Sequence, residues 1–468
     1  MRNAQDVVEL VEALRPAYVA LADQVFDTPE VAYTETLSCA AHLAQLRAEG
    51  ARVSENLAGI PTAIMGEWGQ GGPVIAILGE YDALPALGQE PGIAEPRPMG
   101  KAGHGCGHNL LGSAAMLAAV ALRDWLAQSG LPGRVRYYGC PAEEGGAAKT
   151  FMVREGHFDD VDAAITWHPA DYTGLMAPET LANTRIDFTF HGTAAHAASN
   201  PELGRSALDA VELMNVGVNY MREHMPDDAR VHYAYLDAGG EAPNVVQARA
   251  TVRQLIRARD NKGLRDLVTR VRKIADGAAL MTETRVEARI VSAVSNMLSS
   301  PALEHLMEAH LLALGAPVFD EADRAFAAAI RQSLTPEHSA DTFWRVGLEV
   351  QPDLALADFV VPLAQTRKAG QGSTDVADVS WAVPTVQAWV TTCALGTPFH
   401  SWQLTAQGKS PAAHKGMVHA AKVMALTGRD LFAQPDVLAT AKAEHAAACA
   451  RTPYICPMPP EVSPAIPL

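Results

Sequence analysis

The first half of the chain alternates between stretches with helical spacing of apolar residues and short, continuous apolar runs. Val7, Leu10 and Val11 recur at the spacing of an amphipathic helix, whereas residues 74–78 form an apolar run of the kind typical of a buried strand. The predicted helices are 4–26, 35–49 and 108–130. The predicted strands are 62–65, 74–78, 134–140, 163–167 and, late in the chain, 386–392. Such alternation indicates an α/β fold whose mixed, largely parallel sheet carries helices on both faces.

A different pattern begins near residue 184. Ile186, Phe188 and Phe190 alternate with polar residues, which is the period of a half-exposed strand. The predicted elements are strand 185–190, helix 203–223, strands 231–236 and 245–256, helix 261–281 and strand 284–294. This β-α-β-β-α-β order is that of a ferredoxin-like α+β unit. We therefore expect one domain of residues 1–183 and 296–468, with a second domain, 184–295, inserted into it.

The bulk properties exclude several classes of function. A length of 468 residues exceeds what one hydrophobic core usually supports, which agrees with two domains. Acidic residues outnumber basic ones by 53 to 37, and the formal charge of −16 disfavours nucleic-acid binding. The N-terminus does not resemble a secretory signal, and no apolar stretch predicts a membrane span. The sparse cysteines predict reduced thiols in a cytoplasmic protein, with disorder only in the proline-rich segment 453–467.

The densest group of chemically active residues is His104-Gly-Cys106-Gly-His108, which follows a predicted strand and opens a predicted helix. A thiolate and an imidazole two residues apart can bind one metal ion, and the glycines allow close approach of the backbone. Glu144, His168 and His400 also end or follow predicted strands. Read singly, His168 and His400 are more ordinarily a core histidine and a loop histidine. Together they predict a common metal site, because open α/β sheets bind ligands at the carboxyl ends of their strands.

Five protein donors with one thiolate exceed what a single catalytic zinc ion takes from protein. A Cys106 thiolate that bridges two divalent ions uses all five donors and leaves the site cationic, which lowers the pKa of bound water and suits a substrate oxyanion. Glu143 cannot point the same way as Glu144 on an extended backbone. We therefore interpret Glu143 as the general base, which takes a proton from the metal-bound water and returns it to the leaving amine.

At these residues the chain resembles the M20 family of two-metal peptidases, the aminoacylase and carboxypeptidase family. Within it, the chain is similar to the amidohydrolases that cleave N-acyl amino acids. The resembling motifs run in family order and cover nearly the whole chain: Gly79-Glu-Tyr-Asp-Ala-Leu-Pro85, Cys106-Gly-His108, Glu143-Glu144-Gly, His168-Pro and Gly192-Thr-Ala-Ala-His196. Thr374 and Asn109 depart from many members of this subfamily. Both changes are similar to those of the branch that acts on p-aminobenzoyl-glutamate.

The resemblance implies two divalent ions, zinc or manganese, with Cys106, His108, Glu144, His168 and His400 as ligands and Glu143 as base. It also implies that residues 184–295 form a lid that dimerises, and that His196 on this lid reaches the neighbouring subunit's active site. The small residues before His196 are typical of a tight turn that can present such an oxyanion donor. Asn244 and Arg257 match lid positions that hold the substrate, although a solvated strand charge explains Arg257 equally well. The expected partner is a second copy of the chain or a related A-type subunit.

The predicted reaction is hydrolysis of the amide bond of N-acyl or aromatic-acyl amino acids, with p-aminobenzoyl-glutamate as the best single substrate. Dipeptidase and aminoacylase activities are alternatives within the family. A cysteine hydrolase with Cys106 as nucleophile and His104 or His108 as base is an enzyme of another class. A metal-binding regulatory subunit without activity is the non-enzyme alternative. Chelation of metal separates the first of these from a metalloenzyme, and replacement of Glu143 by glutamine separates the second.

Overall fold

The structure is a computed structural model that describes residues 4–176, 180–366 and 372–467. Its α-helices are α1 Ala4–Asp27, α2 Thr36–Ala48, α3 His108–Ser129, α4 Ala148–Arg154, α5 Ala207–Met221, α6 Asn261–Thr282, α7 Pro301–Leu314, α8 Glu321–Arg331, α9 Pro336–Val346, α10 Leu363–Thr366, α11 Val376–Ala382, α12 Trp402–Gln407, α13 Pro411–Ala433 and α14 Pro435–Arg451. Its strands are β1 Arg52–Glu55, β2 Ile64–Gln70, β3 Val74–Glu80, β4 Leu84–Pro85, β5 Ala102–Gly103, β6 Gly133–Cys140, β7 Ala163–Ala170, β8 Thr173–Leu175, β9 Ala182–His191, β10 Arg230–Asp237, β11 Arg249–Ala258, β12 Arg285–Val294, β13 Val360–Val361 and β14 Thr385–Thr391.

Eight strands form one mixed sheet in the order β1-β2-β6-β3-β7-β14-β8-β13. The neighbours β6, β3, β7 and β14 run parallel, whereas β1 and β2 extend the sheet in antiparallel pairs. Strand β3 is buried at every position. Its Ile75 and Ile77 pack into a core with α1, α3 and α13, and its Val74, Ala76 and Leu78 pack into another core with α4 and α11. The α/β fold with helices on both faces of a mixed sheet is thereby confirmed.

Helix α3 lies at the centre of the first core. By length and composition it is the one helix, among the described residues, that could cross a membrane. The apolar window of α3 is 83% buried inside the protein, and the core helix of a globular protein passes the same test. This feature is therefore weak support for a membrane span, although the sequence alone indicated no candidate at all.

The second sheet has the order β10-β11-β9-β12, with every pair antiparallel. Helices α5 and α6 pack against it around a separate core that includes Phe188, Val252 and Leu267. This is the predicted ferredoxin-like order, and the sheet spans Ala182 to Val294. The predicted strand 245–256 begins only at Arg249, because Val245 and Val246 pair with the turn that carries His196. The domain division itself, 1–183 and 296–468 against 184–295, stays a prediction.

The proline-rich segment 453–467 is packed against the protein rather than disordered, which corrects the expectation from composition. Arg154 on α4 donates hydrogen bonds to the carbonyl oxygens of Pro459 and Val462, at 2.9 and 2.8 Å. Tyr454 donates to Asp378 at 2.8 Å, and the side chain of Met458 is buried. These contacts satisfy backbone and side-chain groups that proline-rich composition cannot satisfy within the segment itself.

We predict that Gly112→Ala destabilises the protein. A Cβ atom at this position of α3 would lie 2.5 Å from the carbonyl oxygen of Glu80, so α3 would have to move away from β3. The expected loss in the free energy of unfolding is about 1–3 kcal/mol, measured by urea denaturation. Gly277→Ala on α6 is the control, because a Cβ atom there meets no atom within 4 Å. That variant should gain up to about 1 kcal/mol from helix propensity, so equal shifts in the two variants would refute the packing argument.

Candidate metal centre

The parallel strands β3, β6, β7 and β14 place four functional segments at one edge of the large sheet. Glu143 and Glu144 follow β6, His168 lies in β7, and His400 follows β14. Cys106 directly precedes α3, whose first residue is His108. The structure thus brings all five predicted metal donors and the predicted base to one place.

The donor atoms form two groups that share the Cys106 thiol. In the first, ligand atoms of Cys106, His108 and His168 all lie within 4.8 Å of one another, with Cys106 Sγ 3.4 Å from His168 Nε2. In the second, the same holds for Cys106, Glu144 and His400, with Glu144 Oε2 3.2 Å from His400 Nε2. A thiolate shared by two three-donor groups is the geometry that a bridged pair of ions requires.

The glycines around Cys106 have specific tasks. Gly107 has a φ of +79°, and a Cβ atom there would lie 3.0 Å from the ring of Pro169. The carbonyl oxygen of Gly105 accepts a hydrogen bond of 2.9 Å from the backbone N–H of His400. His400 itself adopts a left-handed φ of +58°. The Gly-Cys-Gly turn therefore fits between two ligand-bearing loops because it carries no bulk of its own.

His108 is oriented by Asp82, two residues beyond β3. Its Nδ1 lies 2.9 Å from Asp82 Oδ1 and 3.0 Å from the Asp82 carbonyl oxygen, while Asp82 Oδ2 accepts from the backbone N–H of Glu144 at 2.9 Å. Burial opposes a charged imidazole, but Asp82 and the Cys106 thiol outweigh it and raise the pKa of His108 well above its usual value. Asp82 thus ties one predicted ligand to the loop that carries another.

Negative charge is concentrated at this edge of the sheet. Burial, and then the carboxylates of Glu80 and Glu144, raises the pKa of Glu143 well above its usual value. Burial and Glu144 act in the same direction on the pKa of the Cys106 thiol. Within the described residues, three buried atoms here have no hydrogen-bond partner: Glu80 Oε2, His108 Nε2 and Glu144 Oε1. Uncompensated buried acceptors of this kind fit bound cations, so the residues present suit a pair of divalent ions.

Comparison with known proteins agrees with this geometry. The sequence matches the profile of Peptidase family M20/M25/M40 over residues 76–312. It is also 48% identical over 469 residues to the B-type subunit of p-aminobenzoyl-glutamate hydrolase from Escherichia coli (strain K12), covering 97% of both chains. The chain belongs to the M20 peptidase family. It is accordingly a hydrolase that acts on amide bonds.

Two further relatives show the breadth of this M20 family. A Xaa-Arg dipeptidase of Mus musculus is 27% identical, covering 93% of this chain and 90% of its own. The YXEP protein of Bacillus subtilis, described as a dinuclear metal binding peptidase from the M20 family, shares the fold with a TM-score of 0.56 at 16% identity. That likeness covers 90% of this chain and 99% of the other.

The predicted lid residues lie apart from the centre in a single M20 chain. His196 and Asn244 are exposed, and within the described segments neither makes a hydrogen bond or ion pair to any of the five donors. Arg257 is half-buried and donates to Ser373 Oγ at 3.0 Å, so it contacts the loop before α11. The roles of these three residues stay predictions.

Four residues of the centre went unassigned on sequence grounds. Glu80 and Asp82 lie in the Gly79–Pro85 motif, and Asp375 lies just before α11, so motif membership was a usable signal for these three. Lys149 offered no signal, because a lysine near the start of a helix is ordinarily solvated. In the structure its ammonium is fully buried and lies 2.6 Å from Glu80 Oε1 and 2.7 Å from Asp375 Oδ1.

The geometry disfavours Cys106 as a covalent nucleophile. Reactive thiols have a lowered pKa, whereas burial and Glu144 raise that of Cys106. His104, one of its two candidate bases, has its Nε2 3.1 Å from the carbonyl oxygen of Val25, and burial lowers its pKa to about 4. A bound cation, rather than a histidine base, is what would hold this thiol as a thiolate.

We predict that Asp82→Asn weakens metal binding about 10- to 100-fold, because the carboxylate that orients His108 is lost. Competition with a chromogenic chelator measures the affinity for Zn²⁺. The control is Asp378→Asn, which removes a fully buried carboxylate that contacts Thr150 and Ser295 and belongs to no donor group. Equal Zn²⁺ affinity in Asp82→Asn and the parent protein would show that Asp82 does not support the site.

Proposed function

We propose that this chain is a two-metal amidohydrolase that cleaves N-aromatic-acyl amino acids, with p-aminobenzoyl-glutamate as the substrate of choice. One observation carries the proposal: two three-donor groups share Cys106 beside an acidic Glu143, in a chain 48% identical over nearly its full length to one of the subunits of a p-aminobenzoyl-glutamate hydrolase. Dipeptide hydrolysis is the second candidate, and identity to a Xaa-Arg dipeptidase supports testing it.

One ion would be held by Cys106, His108 and His168, and the other by Cys106, Glu144 and His400. Thiolate and imidazole donors suit zinc, while carboxylate donors also admit manganese. When bound, the two ions would polarise the amide carbonyl and lower the pKa of nearby water. YXEP, which has this fold, is described as dinuclear.

Glu143 is the residue best suited to move the proton. Its neighbours Glu80 and Glu144 and its burial favour the protonated form, so it can accept a proton from the attacking water. It then donates that proton to the nitrogen of the leaving amine. Adjacent cations act in the opposite direction on the pKa, which keeps the carboxyl able to serve in both steps.

Two arginines beside the centre favour a substrate that bears carboxylates. Arg185 on β9 has its Nη1 3.4 Å from the carbonyl oxygen of Gly145, the residue after Glu144. Burial, and then Arg253 and Arg257, lowers the pKa of Arg185. Neither Arg185 nor Arg257 forms an ion pair within the described part of the chain, so both can receive the carboxylates of a glutamate moiety.

His196 is proposed to act on the active site of a second subunit. Its Nδ1 accepts hydrogen bonds from the backbone N–H groups of Ala198 and Ser199, at 3.2 and 3.1 Å. The neutral ring therefore carries its proton on Nε2, where it can donate to a developing oxyanion. The outer edge of β10 exposes Tyr233, Tyr235 and Leu236, and α5 exposes Val216 and Tyr220. Such an edge strand and apolar face suit a homodimer, with an A-type subunit as the alternative occupant.

The function is tested by hydrolysis of p-aminobenzoyl-glutamate, aliphatic N-acyl amino acids and Xaa-Arg dipeptides by apoprotein reloaded with Zn²⁺, Mn²⁺ or Co²⁺. We expect p-aminobenzoyl-glutamate to give the highest kcat/KM and chelation to abolish turnover. Glu143→Gln should lower kcat by orders of magnitude while the metal content stays near that of the parent, because the base is lost and the donors are not. Failure of every amide substrate, with each of the three metals loaded, would overturn the proposal.

Complementation between variant subunits tests the role of the lid. We expect His196→Ala and Glu143→Gln each to be inactive alone, and mixed dimers of the two variants to regain activity, because one site then combines an intact base with an intact partner histidine. The dimer content of the mixture is measured by light scattering. Leu280→Ala, a change to an exposed lid residue on α6, serves as the mixing control. A stable mixed dimer without recovered activity would show that His196 serves its own chain or none.

A further inference from the structure

Glu80 is placed at the metal centre by the end of β3, and neither the donor groups nor the proton transfer described above use it. Its side chain is 2% exposed. One oxygen, Oε1, lies 2.6 Å from Lys149 Nζ. The other, Oε2, lies 3.3 Å from His108 Nε2, yet neither of these two atoms has a hydrogen-bond partner. Two buried polar atoms thus face each other without forming a hydrogen bond.

The chemistry of His108 explains why this contact needs a cation. Its Nδ1 lies between two acceptors, the carbonyl oxygen and Oδ1 of Asp82, so Nδ1 carries the proton of the neutral ring. The Nε2 lone pair therefore faces the Glu80 Oε2 lone pairs. Two buried acceptors at 3.3 Å repel each other unless a cation lies between or beside them.

The spacing of this pair matches that of the two donor pairs already described. Cys106 Sγ and His168 Nε2 are 3.4 Å apart, and Glu144 Oε2 and His400 Nε2 are 3.2 Å apart. Donors at about 2.0–2.3 Å from one ion, at near-tetrahedral angles, lie about 3.3–3.7 Å from each other. Glu80, His108 and Glu143 also form a third group of ligand atoms within 4.8 Å of one another.

We propose that Glu80 is a donor to the ion that His108 binds, so that the two ions are held unequally. This inference rests on the proposed two-metal function. The His108 ion then has Cys106, His168 and Glu80 as further donors, all deep in the protein. The other ion has three protein donors, and its His400 side chain is 52% exposed. A closed site retains its ion and an open one exchanges it, so the Cys106–Glu144–His400 ion is the exchangeable one.

Lys149 and Asp375 hold Glu80 in position. The ammonium of Lys149 pairs with both carboxylates, and Asp375 Oδ2 also accepts from the Lys149 backbone N–H at 2.9 Å. One lysine against two buried carboxylates leaves a negative charge directed at His108. A divalent ion compensates that charge where no further lysine or arginine of the described chain does.

The experiment is the time course of Zn²⁺ release from fully loaded protein into excess EDTA, followed by atomic absorption. We expect the parent protein to release one ion quickly and the other slowly. In Glu80→Gln the slow phase should become at least about tenfold faster. In Glu144→Gln the quick phase should be absent and the slow phase should remain. Glu67→Gln on β2 is the matched control, because it removes a little-exposed carboxylate outside every donor group.

An unchanged slow phase in folded Glu80→Gln, or release of both parent ions in one phase, would overturn the inference. If Glu80→Gln does not fold by circular dichroism, the Glu144→Gln variant still decides, since loss of both ions there contradicts two unequal sites. The outcomes for function are separate. A parent protein that holds no Zn²⁺ contradicts the proposed two-metal function, whereas two equivalent ions contradict only the assignment of Glu80.

Discussion

Buried negative charge at one edge of the large sheet is the constraint on which the rest of the site depends. Glu80, Asp82, Glu144 and Asp375, together with the Cys106 thiol, lie within a few ångströms of one another, and Lys149 is the cation that pairs with two of them. Such a cluster is expensive to bury without positive charge. The fold tolerates it because the donors face common points, where divalent cations compensate the charge that hydrogen bonds leave uncompensated.

The sheet topology makes this concentration of charge possible. Parallel strands β3, β6, β7 and β14 end at the same edge, so loops far apart in sequence deliver their side chains together. The same strands are apolar on both faces, and the cores around α3 and α4 hold their ends in place. Close contacts such as that of Gly112 with the Glu80 carbonyl connect the packing of α3 directly to the position of a charged group.

The second sheet has a different relation to the centre. Arg185 and Arg257 reach the edge of the site from their own chain, through Gly145 and Ser373. His196 is exposed on the turn that pairs with Val245 and contacts none of the described donors. A single chain therefore holds the metal ligands and the base but not the oxyanion donor, which is why the proposed activity depends on association with a second chain.

The sequence by itself determined the fold class and the five donors. Periodicity of two or of 3.6 residues is a local property, and short motifs such as Cys106-Gly-His108 carry their chemistry in neighbouring residues. It could not show that Lys149 is buried between Glu80 and Asp375, since nothing near Lys149 in the chain distinguishes it from a solvated lysine. It also mistook the packed segment 453–467 for a disordered one. These features depend on contacts between distant residues, because burial and charge pairing are decided only when the tertiary structure brings the partners together.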